Sequence, residues 1–228
     1  MKNNEQSSVW VIIPAFNEEK VIGRVVNDVR STAQNVVVIN DASSDRTAEE
    51  AEENGAIVLN HRINRGQGAA LQTGIEYALE QGAEILVHFD ADGQHQGADI
   101  PRFIGPIVRN EADVVLGSRF LSRRNTIPFV RACILKLGIL FTWLYSGIKL
   151  TDTHNGFRAF SSMAAAQIHI TENRMAHASE ILHEIAQQSL RYKEVPVSVL
   201  YTEYSLAKGQ SSLNSVRIAS RLIWKTLF

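Results

Sequence analysis

Ile85-Leu86-Val87-His88-Phe89-Asp90-Ala91-Asp92-Gly93-Gln94-His95 decides the fold. A short apolar run passes directly into two carboxylates two residues apart. Such a run, without polar alternation, marks a strand buried on both faces of a parallel sheet. Residues two apart in extended chain face the same way, so Asp90 and Asp92 can reach one point at the strand's end. Oxygen ligands paired like this suit a hard divalent cation, Mg2+ or Mn2+, that shares its shell with diphosphate oxygens. A D-x-D triplet alone is weak, since a solvated turn looks the same. Its place after a buried strand gives it weight.

The same pattern repeats on either side. Val9–Ile13, Val36–Ile39, Ile57–Leu59 and Val114–Leu116 read as further strands. Glu18–Ser31, Asp45–Asn54, Gln67–Gln81 and Ile100–Arg109 read as the helices between them. Strand–helix alternation at this spacing predicts an α/β fold: a Rossmann-like, mostly parallel sheet flanked by helices. Ligands of such sheets bind beyond the carboxyl ends of the strands. The residues there are Pro14-Ala15-Phe16-Asn17-Glu18-Glu19, Asn40-Asp41-Ala42-Ser43-Ser44-Asp45-Arg46-Thr47, Asp90–His95 and Gly117-Ser118-Arg119. Ser44 or Asp45 is a natural cap for the helix that follows. Asp41, one residue past an apolar strand, can accept two hydrogen bonds from a base edge or ribose.

The second half reads differently. Phe129–Gly147, Ser161–Ile168, Ala178–Ser189 and an amphipathic Ser211–Phe228 read as helices. Tyr192–Tyr201, β-branched around Pro196, reads as an edge strand. Ile127–Leu150 is apolar but interrupted by Arg131, Lys136 and Lys149. It is too charged for a comfortable membrane span and apolar enough for a membrane interface, or for a core helix. No signal peptide and no spanning run of about 20 apolar residues is visible.

With 228 residues, 45% of them apolar and a formal net charge of −1, the chain reads as one globular domain without a basic field for nucleic acid. Cys133 is the only cysteine, so no internal disulfide forms, and a packing role suits it. The seven histidines lack zinc-type spacing and read as surface or supporting groups. His95 and His154 lie inside motifs, which suits a contact to a ligand.

Together, Ile12–Glu19, Asn40–Thr47, Asn64-Arg65-Gly66-Gln67-Gly68 and Asp90–His95 resemble the family-2 glycosyltransferases. Gly117-Ser118-Arg119 and Asp152-Thr153-His154-Asn155-Gly156-Phe157-Arg158 extend the resemblance. Within the family the chain is most similar to the dolichol- or polyprenyl-phosphate mannosyltransferase branch. The likeness spans roughly residues 9 to 200. It implies a GT-A type fold, inverting transfer, and Mg2+ or Mn2+ as cofactor. It implies a nucleotide-sugar donor, GDP- or UDP-linked, held by residues 9–119, and an acceptor side in residues 120–228 with interfacial helices. Pro14, Ala15, Phe16, Glu18, Ile39 and Asp41 would serve base and ribose. Asp90, Ala91, Asp92 and Gln94 would serve metal and diphosphate, with Asp90, Asp92 and Gln94 as the ligands. Arg119 and Arg158 would face phosphate, and Lys208 would close over the donor. The chain departs from the branch at Asn155, where a small hydroxyl residue is usual. It departs again in the loop Tyr201–Ser211, where Glu203 and Lys208 replace an Arg and a Ser-Lys pair.

The expected reaction breaks the bond between an anomeric carbon and a diphosphate, so positive charge is needed at the leaving group. The expected acceptor is a polyprenyl or dolichyl phosphate. Its second pKa is about 6, so it is an anion at neutral pH and needs no base. A sugar-hydroxyl acceptor, as in polysaccharide or glycolipid assembly, would need one, and Asp152 is the candidate. Asp92, Asp152 and Arg119 are thus the expected catalytic residues. A lipid acceptor places the chain at the cytoplasmic face of a membrane, peripherally or with a spanning partner. Arg123, Arg124, Arg131, Lys136, Arg217, Arg221 and Lys225 would face the anionic leaflet. An inactive nucleotide-sugar-binding scaffold is the alternative outside catalysis. No glycine-rich loop follows the first strand, which argues against nucleotidyltransferases and dehydrogenases.

Overall fold

The computed structural model describes residues 8–122, 139, 143, 147–153, 155–174 and 176–200. Seven strands form one sheet in the order β3-β2-β1-β4-β6-β5-β7. They are β1 (Val9–Ala15), β2 (Asn35–Asn40), β3 (Ile57–Asn60), β4 (Ile85–His88), β5 (Val114–Ser118), β6 (Arg158–Ser161) and β7 (Tyr192–Pro196). The helices are α1 (Ile22–Arg30), α2 (Thr47–Glu53), α3 (Gln67–Glu80), α4 (Ile100–Val108), α5 (Ser162–Gln167) and α6 (His177–Gln187). All strand pairings are parallel except those of β6, which runs antiparallel to both β4 and β5.

Side-chain alternation divides the core between the two faces of the sheet. Val11 and Ile13 of β1, with Val36 and Val38 of β2, pack with Ile22, Val25, Val26 and Val29 of α1. Those four α1 residues recur at the spacing of one helix face, which is why the segment is a helix here. Trp10 and Ile12, with Val37 and Ile39, pack on the other face with Ala70, Leu71, Ile75 and Ala78 of α3. A strand that contributes to both clusters has no solvent face, and this accounts for its continuous apolar sequence.

The expected α/β fold, mostly parallel with flanking helices, is present. Several boundaries differ. The first helix starts at Ile22 rather than Glu18, because side chains take the amides before it. Thr47 Oγ1 accepts from Glu18 N at 2.8 Å, and Asp45 Oδ2 from Glu19 N at 3.2 Å. Ser161 is the cap of α5, accepting from Ala164 N at 3.2 Å. The edge strand expected over Tyr192–Tyr201 is β7 and ends at Pro196. Strand β6 is an addition to the expected set. At four residues it is too short to show a period.

The segments expected as helices over Phe129–Gly147 and Ser211–Phe228 lie wholly or largely outside the described residues, as do the loop Tyr201–Ser211, Lys208, Cys133, His154 and the basic residues assigned to a leaflet. Among the described residues no helix is long and apolar enough to cross a membrane.

Candidate active site

A cleft of about 330 Å3 opens at the carboxyl ends of β1, β2 and β4. Pro14, Ala15, Phe16 and Glu18 line it after β1, Asp41 after β2, and Asp90, Ala91 and Asp92 after β4. Gln67 and Ala70 of α3, and His177 and Ala178 of α6, close other sides. Asn155, Gly156 and Arg158 complete it. Arg158 reaches the cleft because β6 is antiparallel: its amino end lies beside the carboxyl end of β4, pairing Arg158 with His88.

Asp90 is held from three directions. Gln67 Nε2 donates to Oδ1 at 3.1 Å, and His95 Nε2 lies 3.2 Å from Oδ2. Gly156 packs so closely that a Cβ there would sit 2.3 Å from Oδ2. Only a residue without a side chain fits that approach. Asp92 Oδ1 accepts from Gln94 N at 2.9 Å. Burial works against ionising either carboxylate. At Asp90 the hydrogen bond and charge of His95, with the charges of His177 and Arg158, outweigh burial and lower the pKa. At Asp92 burial is reinforced by the negative charge of Asp90, and the pKa rises to about 6. The pair is therefore strained electrostatically as long as no cation is shared.

Beneath the pair lies an aromatic cluster. Phe157 stacks on Phe103 at 3.8 Å between centroids and meets Phe89 edge-on at 5.1 Å. The ring of His95 packs against Phe157 at 5.2 Å. Contacts of this kind add about 0.5–1.5 kcal/mol each beyond burial and fix the floor under Asp90.

Arg158 is the only lysine or arginine among the described residues that line the cleft. It is 4% exposed. Its hydrogen-bond partners among the described residues are neutral carbonyls: Nε donates to Asn155 O at 3.2 Å and Nη2 to Ala178 O at 3.3 Å. Burial pulls its pKa down to about 10, against the charges of Asp90 and Asp152, so it remains a cation at neutral pH. His177, whose Nδ1 lies 2.8 Å from Arg174 O, is pushed down to about 4 by burial and the charge of Arg158. It is neutral at pH 7.

Asp41 anchors the loop that leads into α3. Its Oδ1 accepts from Arg65 N at 2.8 Å and meets His61 Nδ1 at 2.7 Å; its Oδ2 accepts from Gly66 N at 2.6 Å. Gly66 and Gly68 let the chain at 172–173 cross the start of α3. A Cβ at Gly68 would lie 2.0 Å from Glu172 O, and one at Gly66 2.3 Å from Asn173 O. The motif Asn64–Gly68 thus has a packing cause. Phe16 stands at the cleft 43% exposed, an apolar face open to a ligand.

Other expected site residues lie elsewhere. Arg119 and Asp152 are paired with each other and buried. Nε of Arg119 donates to Oδ2 at 2.7 Å, Nη2 to Oδ1 at 2.8 Å, and the backbone N to Oδ2 at 3.0 Å. Neither lines the cleft. Glu194 of β7 holds the same segment, accepting from Thr151 N at 2.9 Å and Asp152 N at 3.2 Å. Ile39 is fully buried against α3, with no surface in the cleft. Gln94 also lies outside the cleft lining; its carbonyl accepts from Leu200 N at 2.9 Å. Asp45 lies one residue before Arg46, the cap position of α2, and accepts from Thr47 N at 3.1 Å. Gln67 and Gly156 lie within the motifs Asn64–Gly68 and Asp152–Arg158, whose sequence alone gives neither a role. His177 belongs to no motif, and only the folded chain brings it to the cleft.

The sheet, with its acidic edge and its single antiparallel insertion, is that of a GT-A glycosyltransferase. The fold matches glucosyl-3-phosphoglycerate synthase of Mycobacterium tuberculosis with a TM-score of 0.73 at 17% identity, over 96% of this chain and 78% of that one. Residues 10–168 match the glycosyl transferase family 2 pattern. The chain belongs to that family and is a glycosyltransferase. It is 35% identical to UDP-N-acetylglucosamine–dolichyl-phosphate N-acetylglucosaminyltransferase of Methanococcus voltae, over 94% of both chains. It is 28% identical to undecaprenyl-phosphate mannosyltransferase of Micrococcus luteus, over 96% of this chain and 97% of that one. Its resemblance is to the polyprenyl-phosphate branch of the family.

Proposed function

We propose that the chain transfers a hexose-type sugar, with inversion, from a nucleoside-diphosphate sugar to a polyprenyl or dolichyl phosphate. The observation that carries this reading is the joint presence of Asp90, Asp92 and Arg158 in one cleft at the carboxyl edge of the sheet. The relatives named above act, by their names, on dolichyl and undecaprenyl phosphates.

The donor set fits Mg2+ or Mn2+. Among the described residues no group of three or more His, Cys, Asp or Glu is gathered as a metal site. Two hard carboxylates are what a cation arriving with a diphosphate requires, since such cations take few protein ligands and keep substrate oxygens. Asp92, raised to about 6 by burial and by Asp90, gains a partner for its charge when a cation is bound. Asp90 and Asp92 would be the protein ligands. The bound ion supplies Lewis acidity toward the leaving diphosphate.

The chain's own groups do the rest. Arg158, desolvated and without a carboxylate in hydrogen-bond reach, offers its charge to phosphate oxygens. Phe16 gives the base an apolar surface, and Asp41 gives it an acceptor. Asp152 accepts three hydrogen bonds from Arg119 and does not line the cleft, so it is not placed to take a proton from an acceptor there. That favours an acceptor that is already an anion, as a lipid phosphate is, over a sugar hydroxyl. A lipid acceptor stays in the bilayer, so the enzyme works peripherally at a membrane surface, at its cytoplasmic face.

The test is product formation with UDP- and GDP-hexoses, polyprenyl phosphate and Mn2+. A sugar-phosphate-lipid product that disappears on chelation and in Asp92→Asn is expected. Donor turnover that ignores polyprenyl phosphate but responds to a sugar acceptor would refute the proposed acceptor.

A further inference from the structure

The hydrogen bonds already made by Asp41 limit which base the donor can carry. We infer that the cleft selects a pyrimidine-2,4-dione base, uracil or thymine, over guanine or adenine, because the Asp41 carboxylate has a single acceptor position left. This rests on the donor-binding reading above.

A carboxylate offers about four lone-pair positions. On Asp41, Oδ1 is engaged twice, by Arg65 N at 2.8 Å and His61 Nδ1 at 2.7 Å. Oδ2 is engaged once, by Gly66 N at 2.6 Å. The open position is therefore on Oδ2. The residue is 3% exposed, so bulk water does not compete freely for it.

These bonds are not easily given up. Two of the donors are backbone amides of a loop tied down at further points. His61 N donates to Asn40 O at 2.9 Å, and Asn64 Nδ2 donates to the carbonyl of Asp41 at 3.2 Å. The far nitrogen of His61, Nε2, lies 3.0 Å from Thr73 Oγ1 of α3. Swinging the carboxylate toward a ligand would leave buried amides unpaired.

The bases differ in what they present to such a group. Guanine presents two adjacent donors, its ring N–H and its amino group, which pair with both oxygens of an open carboxylate. Here Oδ1 cannot accept the second. Adenine and cytosine place an unprotonated ring nitrogen beside their amino donor, and that lone pair would face the carboxylate. Uracil and thymine present one ring N–H between two carbonyls, which matches one open position. An unpaired polar group in a buried site is what lets an enzyme reject a near analogue.

The experiment is calorimetric binding of UDP, dTDP, GDP and ADP to the full chain at constant Mn2+, with no turnover involved. UDP or dTDP binding about tenfold or more tighter than GDP and ADP is expected, the scale of one unpaired polar group. Equal or tighter GDP binding would overturn the inference and leave the donor site standing. Failure of all four to bind would remove the donor reading itself. His61→Ala frees a second position, on Oδ1, and should narrow the preference over GDP. An unchanged preference, in a variant that keeps the wild-type circular dichroism, would refute the lone-pair explanation.

Discussion

His95 sits with Nε2 3.2 Å from Asp90 Oδ2, while its Nδ1 is buried with no hydrogen-bond partner. The ionised carboxylate can only accept, so Nε2 carries the proton and donates. His95 thereby fixes the rotamer of Asp90 from behind, with its own ring held by Phe89 and Phe157. Groups that orient a metal ligand in this way are worth about tenfold to hundredfold in affinity. His95→Ala is expected to weaken Mn2+ binding by that factor, as read by calorimetry, with the fold intact by circular dichroism. Unchanged Mn2+ affinity would remove the orienting role.

Asp92 sets a pH dependence with a definite sign. Its folded pKa is raised from 3.8 to about 6, so the folded state holds the extra proton between those values. The cost of ionising Asp92 is absent below pH 3.8, grows through that window, and is complete above about pH 6. Without metal, Asp92→Asn should therefore melt above the wild type at pH 7.5, with the gap shrinking toward pH 4. Metal competes with the same proton. The apparent Kd for Mn2+ should rise below about pH 6, by up to about tenfold per pH unit. Melting curves and Mn2+ titrations across pH 4–8 check both.

The Arg119–Asp152 pair is the clearest structural ion pair among the described residues. Removing one partner of a buried pair typically costs about 3–5 kcal/mol, because the other charge stays buried alone. Asp152→Asn should lower denaturant stability on that scale. Measured per folded molecule, its single-turnover rate should fall far less than loss of a general base would cause, about 100- to 10,000-fold. Full stability with a loss of that size would restore Asp152 as the base.

Much of the sheet was legible because β1, β2 and β4 are buried on both faces and write that burial as unbroken apolar runs. The acidic edge was legible for the same reason, since Asp41 and Asp90 follow directly from those runs. What was not legible depends on long-range pairing. Strand β6 is four residues long, so although the motif singles out Arg158, the antiparallel seat between β4 and β5 that carries it to the cleft is not written in the sequence. His177 arrives there because Gly66 and Gly68 let the preceding chain cross α3. The pairing of Arg119 with Asp152 joins residues 33 apart in sequence, and no spacing rule connects them. Ile39 neighbours the ligand groups in sequence, but strand alternation turns it into the core.

Calorimetric titration of UDP and GDP into the wild type, Asp90→Asn and Asp92→Asn, each with Mn2+ and with excess chelator, bears most directly on the carboxylate pair. Nucleotide binding should be tight only for the wild type with Mn2+, and should fall by about tenfold or more on chelation or in either variant. Equal affinity in all these arms would contradict a cation held by Asp90 and Asp92 as the basis of donor binding.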